Sequence, residues 1–257
     1  MEELLEKIEI LIDDIERDSQ LTRDEVLRSL NEIKINYPIN IRSILFHIRN
    51  IIKKNMIDDG LIYLQITRGV AKRDFKFSKN LESTITIIGN NIPSEEYEKS
   101  FEKGISVVTT RDLRWKRVDI KSLNLLAPVL AKQYAYEQKA QEAWLVDDDG
   151  FITEGSSSNA WILIGNTVYT RPVSSSILNG ITRKTLMKGL GKYGYKFKEK
   201  KFNLKDIKKS KEAYITSATQ YVMPVTKIDN QKIGNGRVGK FAKHFKDIYL
   251  ESVQLSD

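Results

Sequence analysis

At Gly60 the hydrophobic period of this sequence changes, and no other feature constrains the fold as strongly. Before it, aliphatic residues recur at helical spacing: Leu4, Ile8, Leu11 and Ile15 share one stripe, and Ile44, Leu45, Ile48, Ile51 and Ile52 share another. Between them, Thr22 and Glu25 have the spacing of a capping box before Val26, Leu27, Leu30 and Ile33, and Tyr37-Pro38 should stop that helix. After Gly60 the runs become short and rich in Ile, Leu, Tyr and Thr, as strands are, first over residues 61–67 and then over 83–88. The chain must therefore build a sheet as well as helices.

Downstream, strands are expected over residues 105–110, 143–146, 159–164, 167–169 and 213–217, with helices over 126–138, 182–193 and 239–251. This is an α/β or α+β chain without a convincing repeat. Pro93-Ser94-Glu95-Glu96 reads as a polar linker, which divides the chain into a small domain over residues 1–92 and a larger one over 93–257.

Several function classes fall away at once. With no cysteine, the chain has no disulfide scaffold, thiolate metal site or cysteine nucleophile. His47 and His244 are the only histidines, too few for a histidine-rich metal centre. No apolar run approaches the ~18 residues of a membrane span, and the acidic, aliphatic start is unlike a secretory signal, so a soluble cytoplasmic protein is expected. No glycine pattern of dinucleotide-binding or phosphate-loop type occurs. The net charge of +8 is concentrated in residues 192–211, where lysines alternate with aromatics. A solvated helix and sheet edge accounts for that stretch better than a nucleic-acid surface does, and no nucleic-acid partner is expected.

Lysine, carboxylates, hydroxyls or a cofactor must then supply any chemistry. Lys121 lies between Ile120 and the apolar run Leu123 to Leu126; in such surroundings a lysine either snorkels or becomes a neutral amine able to form a Schiff base. Glu154, in Thr153-Glu154-Gly155-Ser156-Ser157-Ser158-Asn159, is either the acid of a polar pocket floor, suited to a cationic ring nitrogen, or part of a hairpin turn. Gly180-Ile181-Thr182 opens a helix, where free amides can hold a phosphate, and Ser217 ends a strand with a hydroxyl for the same anion.

Taken together, Tyr63 to Gly69, Arg114 to Leu126, Thr153 to Asn159, Ile177 to Arg183 and Pro224 to Asp229 resemble the D-amino-acid transaminases, class IV enzymes of fold type IV that depend on pyridoxal phosphate. The resemblance runs from about Ile33 to Lys246. It implies that Lys121 bonds the cofactor and shuttles the substrate proton, that Glu154 pairs with the pyridine nitrogen, and that Leu178 packs on the ring. It further implies that Gly180, Ile181, Thr182 and Ser217 hold the phosphate, that Arg73 clamps the substrate carboxylate, and that the enzyme is a homodimer. The expected reaction is amino transfer between a D-amino acid, D-alanine or D-glutamate, and a 2-oxo acid.

Three departures accompany the resemblance. Phe75 replaces the family's histidine two positions beyond the carboxylate arginine, Ala218 replaces a phosphate-binding hydroxyl, and no counterpart of the family's N-terminal strands is found, so an incomplete first domain is expected. The alternatives are another fold type IV reaction, such as amine or branched-chain transamination or aminodeoxychorismate lysis, and a cofactor-binding protein without turnover.

Overall fold

The structure is a computed structural model and describes residues 24–78 and 80–254. The stripe from Leu4 to Ile15 and the cap residue Thr22 lie outside the described residues. The chain divides into two compact units, Met1–Glu95 and Glu96–Asp257.

In the first unit, residues 24–32 form a helix (α1). It ends before Pro38 is reached: Lys34 takes a left-handed φ of 54°, and the Ile35 amide donates to Leu30 O at 2.9 Å, closing the C-terminus. A second helix, α2 (Ile41–Asn55), starts where the Asn40 side chain accepts from the Ser43 amide at 2.9 Å. Its Ile44, Ile48 and Ile52 are buried at i, i+4 and i+8, each contributing about 1.5–3 kcal/mol of apolar burial. That stripe packs with Ile57 against Ile62, Leu64, Ile85 and Ile87 of an antiparallel pair, β1 (Gly60–Thr67) and β2 (Thr84–Asn91). The alternation along β2 places Ile85 and Ile87 inward and Thr84 and Thr86 outward.

The segment expected to be a linker is instead the start of a helix, α3 (Ser94–Lys103), and the division between the units falls in its first turn. Two adjacent glutamates near an N-terminus suit a helix as well as a turn, because they complement its dipole.

The second unit is built on one mixed sheet with the order β5-β4-β3-β10-β9-β6-β7-β8. Its strands are β3 (Ile105–Arg111), β4 (Glu142–Val146), β5 (Ile152–Gly155), β6 (Asn159–Ile164), β7 (Thr167–Thr170), β8 (Lys196–Glu199), β9 (Glu212–Ser217) and β10 (Tyr221–Ile228), with β11 (Gln231–Lys232) hairpinned onto β10. Two crossovers are parallel units: β3 returns as β4 through α4 (Leu126–Glu137), and β7 returns as β8 through α5 (Ile181–Lys192). A short helix, α6 (Leu204–Ile207), carries a capping box from Asn203 and Asp206. The last helix, α7 (Lys240–Gln254), is anchored at its start by the Glu212 carboxylate, which accepts from the amides of Phe241 and Ala242.

Trp144, Trp161, Ile162, Leu163, Leu190, Ile215, Val222 and Phe245 are fully buried in the core of this unit. Part of the basic stretch forms β8, the last strand of the sheet, with Lys196 and Lys198 exposed. Charged side chains at such an edge oppose pairing with another chain.

Candidate active site

Glu154 lies on β5, where it is buried. A hairpin turn over residues 153–159 is excluded by the pairing, since the strands it would join are not partners: β5 pairs with β4 whereas β6 pairs with β7 and β9. The chain still turns sharply after Glu154, and the Gly155 amide donates to Ser158 O at 2.7 Å. That turn is fixed from below by Glu142 on β4, whose buried carboxylate accepts from the hydroxyls of Ser156, Ser157 and Ser158 and from the Ala143 amide.

Three groups converge on the Glu154 carboxylate. An Arg114 guanidinium nitrogen, Nη1, donates to Oε1, the Asn159 amide Nδ2 to Oε2 at 2.8 Å, and the Leu178 backbone amide to both oxygens at 3.1 Å. Arg114 is itself held by Asp112 in a two-pronged pair, Nε to Oδ1 at 2.9 Å and Nη2 to Oδ2 at 2.8 Å. Thr153 adds a hydroxyl donor to Asp112 Oδ2 at 2.7 Å.

Burial raises the proton affinity of both carboxylates, but with different outcomes. At Asp112 the hydrogen bonds and charge of Arg114, with the Thr153 hydroxyl, overcome burial and hold the acid below its ordinary range. At Glu154 burial dominates over the opposing charge and hydrogen bond of Arg114 and the Leu178 amide, and the acid is pushed up to about 7. The difference follows first from burial, which is more complete at Glu154, and then from geometry, because Arg114 gives Asp112 two of its nitrogens and Glu154 only one.

Asn159 extends this cluster to the start of α5. Its Nδ2 also donates to Leu178 O at 2.8 Å, and its Oδ1 lies against Gly180, the N-cap, which has no side chain to cap the helix. Two residues on, Thr182 is buried and its Oγ1 has no hydrogen-bond partner. A buried hydroxyl without a partner is costly, and one at an uncapped helix N-terminus fits an anionic group that accepts from it. Asn159 also pairs in register with Thr216 on β9, which places Ser217 next along that strand; Ser217 Oγ accepts from the Gln220 amide at 3.1 Å.

The expected residues thus fall into two groups. Glu154, Leu178, Gly180, Ile181, Thr182 and Ser217 are joined through Asn159 and the start of α5. Lys121 lies in the connection between β3 and α4 and is exposed; the neighbouring Leu123, Leu125 and Leu126 are exposed too, so they do not bury it as an apolar setting would. Its segment is tied to the same region, because the Val118 amide donates to Ser175 O at 3.0 Å and Arg114 Nη2 donates to Ser176 O at 3.1 Å. Arg73 and Phe75 belong to the first unit, both exposed, with the Arg73 guanidinium 5.6 Å from the Phe75 ring centre. Arg114, Asp112 and Asn159 were not anticipated as site residues, although Arg114 and Asn159 stand in the segments that carry the resemblance.

Among the described residues no group of acids and histidines is arranged to hold a metal, and no helix is long and apolar enough to cross a membrane. The cluster instead offers a buried acid beside a helix start suited to an anion. The family described as "Amino-transferase class IV" matches residues 26–228. The D-alanine aminotransferase of Bacillus licheniformis is 38% identical over 226 residues, covering 88% of this chain and 79% of that protein. That of Staphylococcus aureus (strain N315) is 37% identical over 236 residues, covering 89% and 82%. Among solved structures, the branched-chain amino acid aminotransferase from Thermobaculum terrenum in its PLP form superposes with a TM-score of 0.80 at 19% identity, covering 91% of this chain and 77% of that one. The Escherichia coli branched-chain enzyme gives 0.79 at 20%, covering 89% and 77%. These likenesses establish the fold type IV arrangement, and the sequence matches establish the lineage: this chain belongs to the class IV aminotransferases.

Proposed function

We propose that the protein transfers an amino group between a D-amino acid and a 2-oxo acid, with D-alanine or D-glutamate as donor and pyridoxal 5'-phosphate as cofactor. The observation that carries this reading is the link made by Asn159 between a buried carboxylate and an uncapped helix start bearing an unpartnered hydroxyl. The relatives named D-alanine aminotransferase supply the stereochemical class.

In this reading Glu154 would accept a hydrogen bond from the protonated ring nitrogen, and Leu178, whose amide fixes that carboxylate, would pack on the ring. The Thr182 hydroxyl, the amides of Ile181 and Thr182 beyond Gly180, and Ser217 hold the phosphate. When bound, the cofactor supplies an electron-withdrawing ring that accepts the electron pair left on the substrate carbon as its proton departs. Lys121 takes that proton and returns it one step later. Arg73 orients the substrate through its carboxylate. A cytoplasmic setting accords with the absence of cysteine.

A homodimer is part of the proposal. On α4 the face containing Ala131 and Ala135 is buried, whereas Leu126, Val129, Leu130 and Tyr134 form an exposed stripe that Leu123 and Leu125 extend. Leu126 is 72% exposed and Leu130 58%. An apolar stripe of this kind on the outside of a folded unit is a surface for association.

The deciding experiment follows absorbance and turnover in the purified protein with added pyridoxal phosphate, D-alanine and 2-oxoglutarate, beside L-alanine and a Lys121→Ala variant. The expected result is a visible band that needs Lys121, responds to D-alanine and accompanies pyruvate formation. A bound cofactor with no pyruvate above the Lys121→Ala level would refute the transaminase reading.

A further inference from the structure

Around Glu154 the charges do not cancel. Asp112 and Glu154 are two carboxylates with a single guanidinium, Arg114, between them, and all three side chains are largely buried. Arg114 shares itself unequally. Its Nε and Nη2 meet the two oxygens of Asp112 in parallel, the Arg114 backbone amide also donates to Asp112 Oδ1 at 3.1 Å, and only Nη1 is left for Glu154. The other donors to Glu154, Asn159 and the Leu178 amide, are neutral.

We propose that Asp112 sets the charge of the Glu154 site: by saturating Arg114 it leaves the Glu154 carboxylate short of one positive charge, and so makes the site select a cationic ring nitrogen over a neutral ring. Asp112 is a positioning residue that acts through Arg114 and touches neither substrate nor cofactor. This inference rests on the reading of Glu154 as the partner of the ring nitrogen.

The electrostatics give the sign. With Glu154 ionised, two negative charges and one positive leave one negative charge, which a protonated ring nitrogen cancels. If Asp112 is made neutral, Arg114 becomes the full counterion of Glu154 and the site is already balanced. A protonated ring nitrogen then meets an acid whose charge is spent, beside an uncompensated guanidinium. The high proton affinity of Glu154 in the native site is consistent with the same shortage of positive charge.

The test compares two ligands on the apoprotein by equilibrium dialysis at a fixed neutral pH: pyridoxal phosphate, and its 1-deaza analogue, in which carbon replaces the ring nitrogen. The wild type is expected to prefer pyridoxal phosphate by about tenfold or more, the scale of one charge-assisted hydrogen bond. In Asp112→Asn that preference falls to within about threefold. The double variant Asp112→Asn/Arg114→Gln restores the net negative charge, and with it the preference. If the single variant does not fold, Arg114→Gln alone serves, because it adds negative charge and is expected to keep or raise the preference.

The outcomes separate the inference from the reading beneath it. No preference in the wild type overturns both, because Glu154 then does not sense the ring nitrogen. A wild-type preference that survives Asp112→Asn overturns the role of Asp112 alone. Loss of preference in every variant, the double included, marks a merely structural cluster and overturns it as well.

Discussion

Asn159 Oδ1 stands 2.6 Å from the point a Cβ on Gly180 would occupy. No side chain fits there while Asn159 keeps its two donations, to Glu154 and to Leu178 O. Gly180 has an ordinary φ of −56°, so the requirement is for space and not for backbone freedom.

Gly180→Ala is therefore expected to push the Asn159 amide off Glu154 and to destabilise the fold by about 1–3 kcal/mol, the usual cost of overpacking. Urea unfolding of the apoprotein gives the stability change, and cofactor titration is expected to show weaker binding. A variant that binds and unfolds like the wild type would show that Asn159 has another place to go.

The raised proton affinity of Glu154 has a consequence for the apoprotein. Its acid is pushed up to about 7 in the folded state from an ordinary value near 4.5. The folded chain holds this proton where the unfolded chain has lost it, so the contribution is full below the lower value. It is lost as pH rises through the interval, amounting to about 3 kcal/mol at most. Glu154→Gln cannot titrate, so its stability relative to the wild type is expected to rise between pH 5 and pH 8, as measured by urea unfolding at both. A difference independent of pH would place the acid in its ordinary range.

Glu142 holds the turn that separates Glu154 from Asn159. Glu142→Ala removes the acceptor of three serine hydroxyls, those of Ser156 and Ser158 buried, and of the Ala143 amide at once. A loss of about 2–4 kcal/mol is expected in thermal or urea unfolding, in the range for a broken buried network. Glu142→Gln, which keeps an oxygen acceptor, should lose less. Cofactor affinity is expected to fall in the same order.

The exposed stripe on α4 gives a prediction for association. Leu126→Glu/Leu130→Glu places charges where the proposed dimer needs apolar contact, with no buried residue altered. Light scattering after size exclusion is expected to report a dimer for the wild type and a monomer for this variant. A dimer in both would move the interface elsewhere.

Much of this fold was legible because its strands are short, β-branched and flanked by turns. Asn159–Ile164 begins and ends where the pattern places it. Tyr221–Ile228 does not read as a strand because it contains Pro224, normally foreign to a central strand. The proline is tolerated because it precedes Val225, the first residue of β10 to pair with β3. At the site, Glu154 was found from its own small, hydroxyl-rich neighbourhood. Arg114 and Asp112 were not, since what gives them meaning is contact with a residue 40 positions from Arg114, and no local pattern encodes that. The apolar run beside Lys121 suggests an enclosed lysine, but Leu123, Leu125 and Leu126 are exposed and do not enclose it.

The partners of Glu154 come from three places in the sequence: Arg114 at a separation of 40 residues, Leu178 at 24 and Asn159 at 5. Two of the three must close large loops before they can contribute, and such contacts form late because chain entropy opposes them until the sheet around them is in place. A nascent or partly folded chain therefore has no coherent site to offer. A cofactor held by these groups would therefore bind only once the second unit has finished folding, and would draw the folding equilibrium toward that state.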